Sequence, residues 1–140
     1  MAVHVLAVLA YKEGDPVTSA ILAHSVNTNP VIIRRLLLSL QRARLVETRK
    51  GAGAGSRLSR SPGNINLAQV YRAVEECEPF ARPSRKANTA CPVGHCIRET
   101  LGRVFASAES AMERDLEKTT LAGVVNMIKA ACPGAAKKNV

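Results

Sequence analysis

Apolar residues along this chain fall mostly at helical spacing. From Ala2 to Tyr11, Val3, Leu6, Ala7, Leu9 and Ala10 gather on one side before Lys12-Glu13-Gly14-Asp15-Pro16 interrupts, which predicts a first helix. Thr18 offers a hydroxyl to cap a short second helix carrying Ile21, Leu22 and Val26, and Asn27-Thr28-Asn29 ends it. Asn29 is a further cap, and Pro30 suits a first helical position because the amide hydrogen it lacks would have had no partner there. In the third helix, Ile33, Leu36, Leu37 and Leu40 recur at i, i+3, i+4 and i+7 and turn one face to a core. Its other face carries Val31, Ile32, Arg34, Arg35 and Leu38.

The period then changes. Leu45-Val46-Glu47-Thr48 reads as a strand, Gly51-Ala52-Gly53-Ala54-Gly55 as a tip and Ser56-Arg57-Leu58-Ser59 as the returning strand of a hairpin. Ser61-Pro62-Gly63-Asn64 turns the chain into a fourth helix with Leu67, Val70, Tyr71 and Val74 on one stripe, ending near Glu78-Pro79. Residues 79 to 92 hold three prolines and three basic residues among small polar ones, the composition of a connector. Beyond it, Ile97, Leu101, Val104, Phe105, Ala108, Met112 and Leu116 repeat at steps of three and four over about five turns. A lone helix cannot bury such a stripe, so these seven residues are the expected interface with a second copy. A last helix from Leu121 to Ala131 turns Val124, Val125 and Ile128 inward, against that partner. The expected class is mostly α (α+β). The expected division is a winged domain at 1–78, a flexible connector at 79–96, the dimerisation helix and short C-terminal helix at 97–132, and a loose tail at 133–140.

Composition narrows the partners. With 46% hydrophobic residues but only 3% aromatic and no Trp, the core must be built from Leu, Val, Ile and Ala. No apolar run approaches the roughly 18 residues of a membrane span, and the N-terminus has no basic leader, so a cytoplasmic protein without a membrane partner is expected. Residues 28 to 60 carry eight of the Arg and Lys side chains against the single acid Glu47, or +7 of the formal +9. A helix followed by a basic hairpin is one way a small domain grips duplex DNA. Arg34 and Arg35, next to β-branched residues near a helix N-terminus, suit base edges and phosphates in a major groove. Lys50 and Arg57 suit phosphates or the adjoining minor groove. The plainer reading is a solvated basic face. The glycine tip has neither Gly-x-Gly-x-x-Gly nor a Walker Lys-Ser/Thr, which argues against a nucleotide cradle.

The run Asn27 to Leu37, then Leu45-Val46, the glycine tip, Ile65-Asn66-Leu67, Val70 to Val74 and Cys91-Pro92-Val93-Gly94 resembles the Rrf-two (BadM-type) bacterial transcription regulators. The similarity runs over nearly the whole chain and is greater to the branch of YwnA and HypR than to the iron-sulfur members. It implies a dimeric winged helix-turn-helix regulator, a repressor, that binds palindromic double-stranded operators with helix three in the major groove and the wing in the minor groove. By position, Asn29, Val31, Ile32, Arg34 and Arg35 would read the groove, with Thr28 beside them in the turn, and Lys50 would supply the wing contact. Two departures stand out: Arg44 occupies a place where a glycine is usual, and the tip lacks Gly-Pro-Gly-Gly.

The cysteines leave alternatives open. Cys91 and Cys96 flank Pro92-Val93-Gly94-His95, Cys77 precedes the connector and Cys132 lies near the C-terminus. The iron-sulfur relatives cluster three cysteines near the start of the dimer helix; only two stand there in this chain, which argues against a cluster and leaves no cofactor expected. A zinc site from Cys91, His95 and Cys96 lacks an obvious fourth ligand. Cys91 and Cys96 remain redox candidates, with a thiol near Arg98 and a helix N-terminus open to oxidation; they also read as small apolar residues without a sensory role. No Ser, His and Asp combination with catalytic spacing occurs, His4 and His24 read as packing or surface residues, and Glu75, Glu76 and Glu78 as a solvated helix end, so no enzyme is expected. The rivals to a sequence-specific regulator are a nonspecific nucleic-acid-binding protein and a thiol oxidoreductase using Cys91 and Cys96.

Overall fold

The computed structural model describes residues 1–12, 14–49, 51, 53–75, 88 and 90–133. Six α-helices and one hairpin follow the expected order: α1 (Ala2–Tyr11), α2 (Ser19–Val26), α3 (Pro30–Arg42), β1 (Val46–Arg49), β2 (Gly55–Leu58), α4 (Leu67–Val74), α5 (Pro92–Glu117) and α6 (Leu121–Ala131), with a 3-10 turn at Pro62–Asn64. Helix starts are set by side-chain caps. Thr18 Oγ1 accepts from the Ile21 amide, Asn29 Oδ1 from Val31, and Thr120 Oγ1 from Gly123, each satisfying an amide that the first turn leaves open. Asn66 and Gln69 form a reciprocal capping box at α4, bonding at 2.9 and 3.2 Å.

The core is aliphatic, as the shortage of aromatics requires. Val5, Leu6, Leu9, Leu22, Ile33, Leu40, Leu45, Ile65 and Leu121 are fully buried in one cluster. On α3 the expected stripe holds: Ile33, Leu37 and Leu40 are buried and Leu36 packs partly against them. On α1 the stripe reading is too narrow, because Val5 and Val8 are buried as well, and Val3 only partly. This helix touches α2, α4, β2 and α6, and a helix with neighbours on several sides has no polar face to keep. On α2 it is Leu22 and Ala23 that enter the core, while Ile21 stays exposed. On α4, Ala68 and Val70 are the buried residues.

The hairpin is antiparallel with Val46 opposite Leu58, Glu47 opposite Arg57, Thr48 opposite Ser56 and Arg49 opposite Gly55; β1 lies one residue later and β2 one residue earlier than the expected strands. Its returning strand is also pinned to the segment before α2: Val17 and Ser56 exchange both backbone bonds, at 2.9 and 2.8 Å. Gly55 sits where a Cβ would come within 2.9 Å of the Pro16 and Val17 backbone, so only glycine allows this approach. Ser56, the one buried polar residue among those described, hydrogen-bonds Thr48 Oγ1 at 2.9 Å.

Two differences concern the C-terminal part. Helix α5 begins at Pro92, so residues 92–96, expected in the connector, form its first turns; Pro92 at the first helical position is compatible with that start. The other expected connector residues lie largely outside the described ones, as do Cys77, Glu78 and residues 134–140 of the tail. Helix α6 does not await a partner. It lies against α1 and the Pro62–Asn64 turn of its own chain, with Leu121 and Val125 in the core and Ile128 exposed. A short backbone clasp holds it there: Leu67 N–H donates to the Thr119 carbonyl at 3.0 Å and Leu121 N–H to the Ile65 carbonyl at 2.8 Å.

Candidate nucleic-acid interface

Helices α2 and α3 meet across the turn Asn27-Thr28-Asn29, which forms the helix-turn-helix. Asn27 takes φ 56°, a left-handed conformation that asparagine tolerates, and the Thr28 amide then donates back to the Ala23 carbonyl at 2.9 Å. Thr28 is thereby half-buried and spent on closing α2, whereas Asn29 is exposed while it caps α3.

Helix α3 presents two unlike faces. With Ile33, Leu37 and Leu40 inward, Val31, Ile32, Arg34, Arg35 and Leu38 all point to solvent. Val31 is 47% exposed, Ile32 44% and Leu38 54%, an apolar set left uncovered beside two guanidinium groups. Arg34 Nε makes one weak bond to Ser19 Oγ at 3.5 Å, and Arg35 borders a small cleft with Met1 and Ile32. The site residues read from the sequence on this helix therefore do share one outward surface.

The wing is more mixed. Gly51 and Gly53 both take positive φ, which explains the glycines of the tip, and Lys50 lies outside the described residues. Arg57 is paired with Glu47 directly across the strands. Both side chains are more than a third exposed, so this pair is worth at most about 1 kcal/mol and would exchange readily for a phosphate. Among the described residues, the other basic side chains of residues 28 to 60 have no ion pair: Arg34, Arg35, Arg42, Arg44, Arg49 and Arg60 are all exposed.

A second contact set links this surface to the long helix. Arg72 on α4 reaches Glu113 at 2.6 Å and Glu117 at 2.9 Å on α5, and the two carboxylates raise its pKa further. Tyr71 donates its hydroxyl to Glu75, and because a phenolate would face that carboxylate, its pKa is pushed up to about 12. Upstream of this clamp, Ile97, Leu101, Val104, Phe105 and Ala108 continue the stripe expected to be a dimer interface, and no residue of α5 is buried within the single chain.

Known proteins share this fold. The model of the Rrf2 family, described as iron-dependent transcriptional regulators, matches residues 1–127. The chain belongs to the Rrf2 family of transcriptional regulators. YwnA of Bacillus subtilis (strain 168), named as an HTH-type transcriptional regulator, is 37% identical over 126 residues, covering 90% of this chain and 92% of that protein. A crystal structure described as a DNA binding protein is 37% identical, with a TM-score of 0.69 over 88% of this chain and 94% of that one. A regulator structure from Lactobacillus plantarum, at 24% identity, shares the fold with a TM-score of 0.74 over 96% of this chain and 89% of its own. The chain is thus a winged-helix regulator and not an enzyme, related to YwnA as the motifs implied.

Iron in the family description invites a test of the cysteines. Cys91 is the N-terminal cap residue of α5, Cys96 lies in its early turns, and both are exposed, as is Cys132. Among the described residues no three His, Cys, Asp or Glu side chains gather as metal ligands do, and Cys77 lies outside them. No helix among the described residues is long and apolar enough to cross a membrane.

Proposed function

We propose that this protein is a cytoplasmic, homodimeric, sequence-specific repressor that binds palindromic double-stranded DNA. Helix α3 enters the major groove, where Asn29, Val31, Ile32, Arg34 and Arg35 contact bases and phosphates; Lys50 and Arg57 anchor the wing, with Thr28 in the supporting turn. The observation that carries this reading is the outward face of α3. Exposed β-branched side chains beside two arginines match thymine methyl groups and guanine acceptors, whereas a merely solvated helix would gain nothing by exposing Val31 and Ile32. A second copy accounts for α5: none of its stripe of Ile97, Leu101, Val104, Phe105, Ala108, Met112 and Leu116 is buried among the described residues, with Ile97, Val104 and Ala108 exposed, and pairing it spaces two reading helices for two half-sites. The exposed Cys91 and Cys96 at the start of that helix support a response to thiol oxidation, which would alter the spacing.

The test is selection of bound fragments from the source genome by the purified protein, with and without oxidant, followed by titration of the selected duplex and a scrambled one at physiological salt. A symmetric site bound at least a hundredfold more tightly than the scramble is expected. Arg34→Ala and Arg35→Ala should each cost on the order of 1 to 3 kcal/mol and relax base preference at one position per half-site. Unchanged preference in both variants refutes the groove assignment, and equal affinity for every duplex leaves the nonspecific reading.

A further inference from the structure

Between α1, the exit of the hairpin and α6 lies an open cleft of about 440 Å³. Its floor is apolar, with Leu9 and Val125 buried and Leu58 half-buried. Its rim carries Arg60, Asn126 and Lys129, and none of the described residues lining it is acidic. Both cations are exposed and held only loosely. Arg60 Nη2 reaches Gln69 Oε1 at 3.4 Å, Lys129 Nζ stands 5.1 Å above the ring of Tyr11, and neither has an ion pair among the described residues.

The chemistry of the occupant follows from that combination. Inorganic phosphate would satisfy the cations but leave the floor in contact with water, and a neutral apolar molecule would cover the floor while leaving both charges uncompensated. A small organic monoanion does both, and the volume falls within the roughly 300–1,000 Å³ of ordinary ligand sites. We propose that this cleft binds a small aliphatic carboxylate, its carboxylate between Arg60 and Lys129 and its alkyl body on Leu9, Leu58 and Val125. The Asn126 amide supplies a further donor at the rim. Because Leu58 ends β2 and Arg60 follows it, the occupant touches the root of the wing and α6 at once. The site is thus placed to couple a metabolite to the hairpin.

The experiment is calorimetric titration of the full chain with sodium hexanoate, hexan-1-ol and inorganic phosphate, repeated on the Arg60→Gln/Lys129→Gln double variant. Both side chains are exposed, so the variant should fold like the parent. Hexanoate should bind saturably, once per chain, with affinity at least tenfold above either control and at least tenfold lower in the double variant. A second readout follows Lys129 directly. The chain has two Tyr and no Trp, so in Tyr71→Phe the emission reports Tyr11 alone and should change as hexanoate draws the ammonium from its ring. The proposal is overturned if hexanoate does not saturate, if hexanol or phosphate binds as well, or if the double variant binds like the parent. No DNA enters these measurements, so their outcome is independent of the operator-binding reading.

Discussion

Arg44 is the residue most at odds with its own backbone. It follows the last turn of α3 at φ 56°, where the Leu45 amide must fold back to the Leu40 carbonyl at 2.9 Å to close the helix and launch β1. An L-residue in this left-handed region costs roughly 1 to 2 kcal/mol, because its Cβ crowds the following carbonyl. Among the described residues nothing repays that cost through the side chain: the guanidinium is exposed, and the bond from Ser59 Oγ at 2.6 Å goes to the Arg44 carbonyl, which any residue provides. Replacing Arg44 with glycine removes the strain and keeps both backbone bonds. Against this stands the greater freedom of glycine in the unfolded chain, about 0.5 to 1 kcal/mol. The central difference leaves Arg44→Gly more stable by about 0.75 kcal/mol, within a span of about 0 to 1.5, a rise in Tm of about 2 to 3 °C for a chain of this size.

The assay is thermal and urea unfolding followed by circular dichroism without DNA, at one fixed protein concentration because an associating protein melts in a concentration-dependent way. Arg44→Ala is the control, since it removes the charge but keeps the Cβ. It should match the parent or fall slightly below it. If Arg44→Gly is no more stable than Arg44→Ala, backbone strain is not what the arginine imposes and the reasoning fails.

Two further tests probe the wing and the α4 clamp. Gly55→Ala should cost about 1 to 3 kcal/mol, since its Cβ would press on the Pro16 and Val17 backbone; an unchanged urea midpoint would mean that the hairpin is not pinned there in solution. In Tyr11→Phe the remaining phenol, Tyr71, should titrate by its ultraviolet absorbance near 12, not at the ordinary tyrosine value of 10.0, and Glu75→Gln should bring it back down. The raised value means that the hydroxyl's contribution to stability is fully present below pH 10 and is lost as pH climbs toward 12, so the parent should lose more stability over that window than Tyr71→Phe.

What the sequence disclosed follows the reach of the interactions concerned. Helix α3 was legible because its signals are local: Asn29 and Pro30 start it and Ile33, Leu37 and Leu40 repeat on one face. The apolar stripe of α5 was legible for the same reason. Arg44 carried a local signal too, the replacement of a usual glycine, and the structure gives it physical content as a strained left-handed residue. Helix α1 was half-read, since burial on several sides erases the polar positions that mark a face. The docking of α6 could not be read, because the residues that cover Leu121 and Val125 belong to α1 and to the turn before α4. The capping pair Asn66 and Gln69 was visible in principle, and it marks the strand-like segment that clasps Thr119 to Leu121.

That clasp changes how the long helix should act. Had α6 docked on a second copy, α5 would be held to the winged domain at its C-terminal end only by its packing on α4 and the Arg72 bridges. Instead α5 is tied down at its C-terminal end twice, by Arg72 to Glu113 and Glu117 and by the backbone bonds around Thr119 to Leu121, while α6 is built into the core. The contacts that join α5 to the reading face run through α4 and then α3, since each of these helices packs on the next. The fixed end makes the helix a lever. On the proposed thiol response, a change at Cys91 or Cys96, at the other end of α5, would have to reach α3 by way of α4.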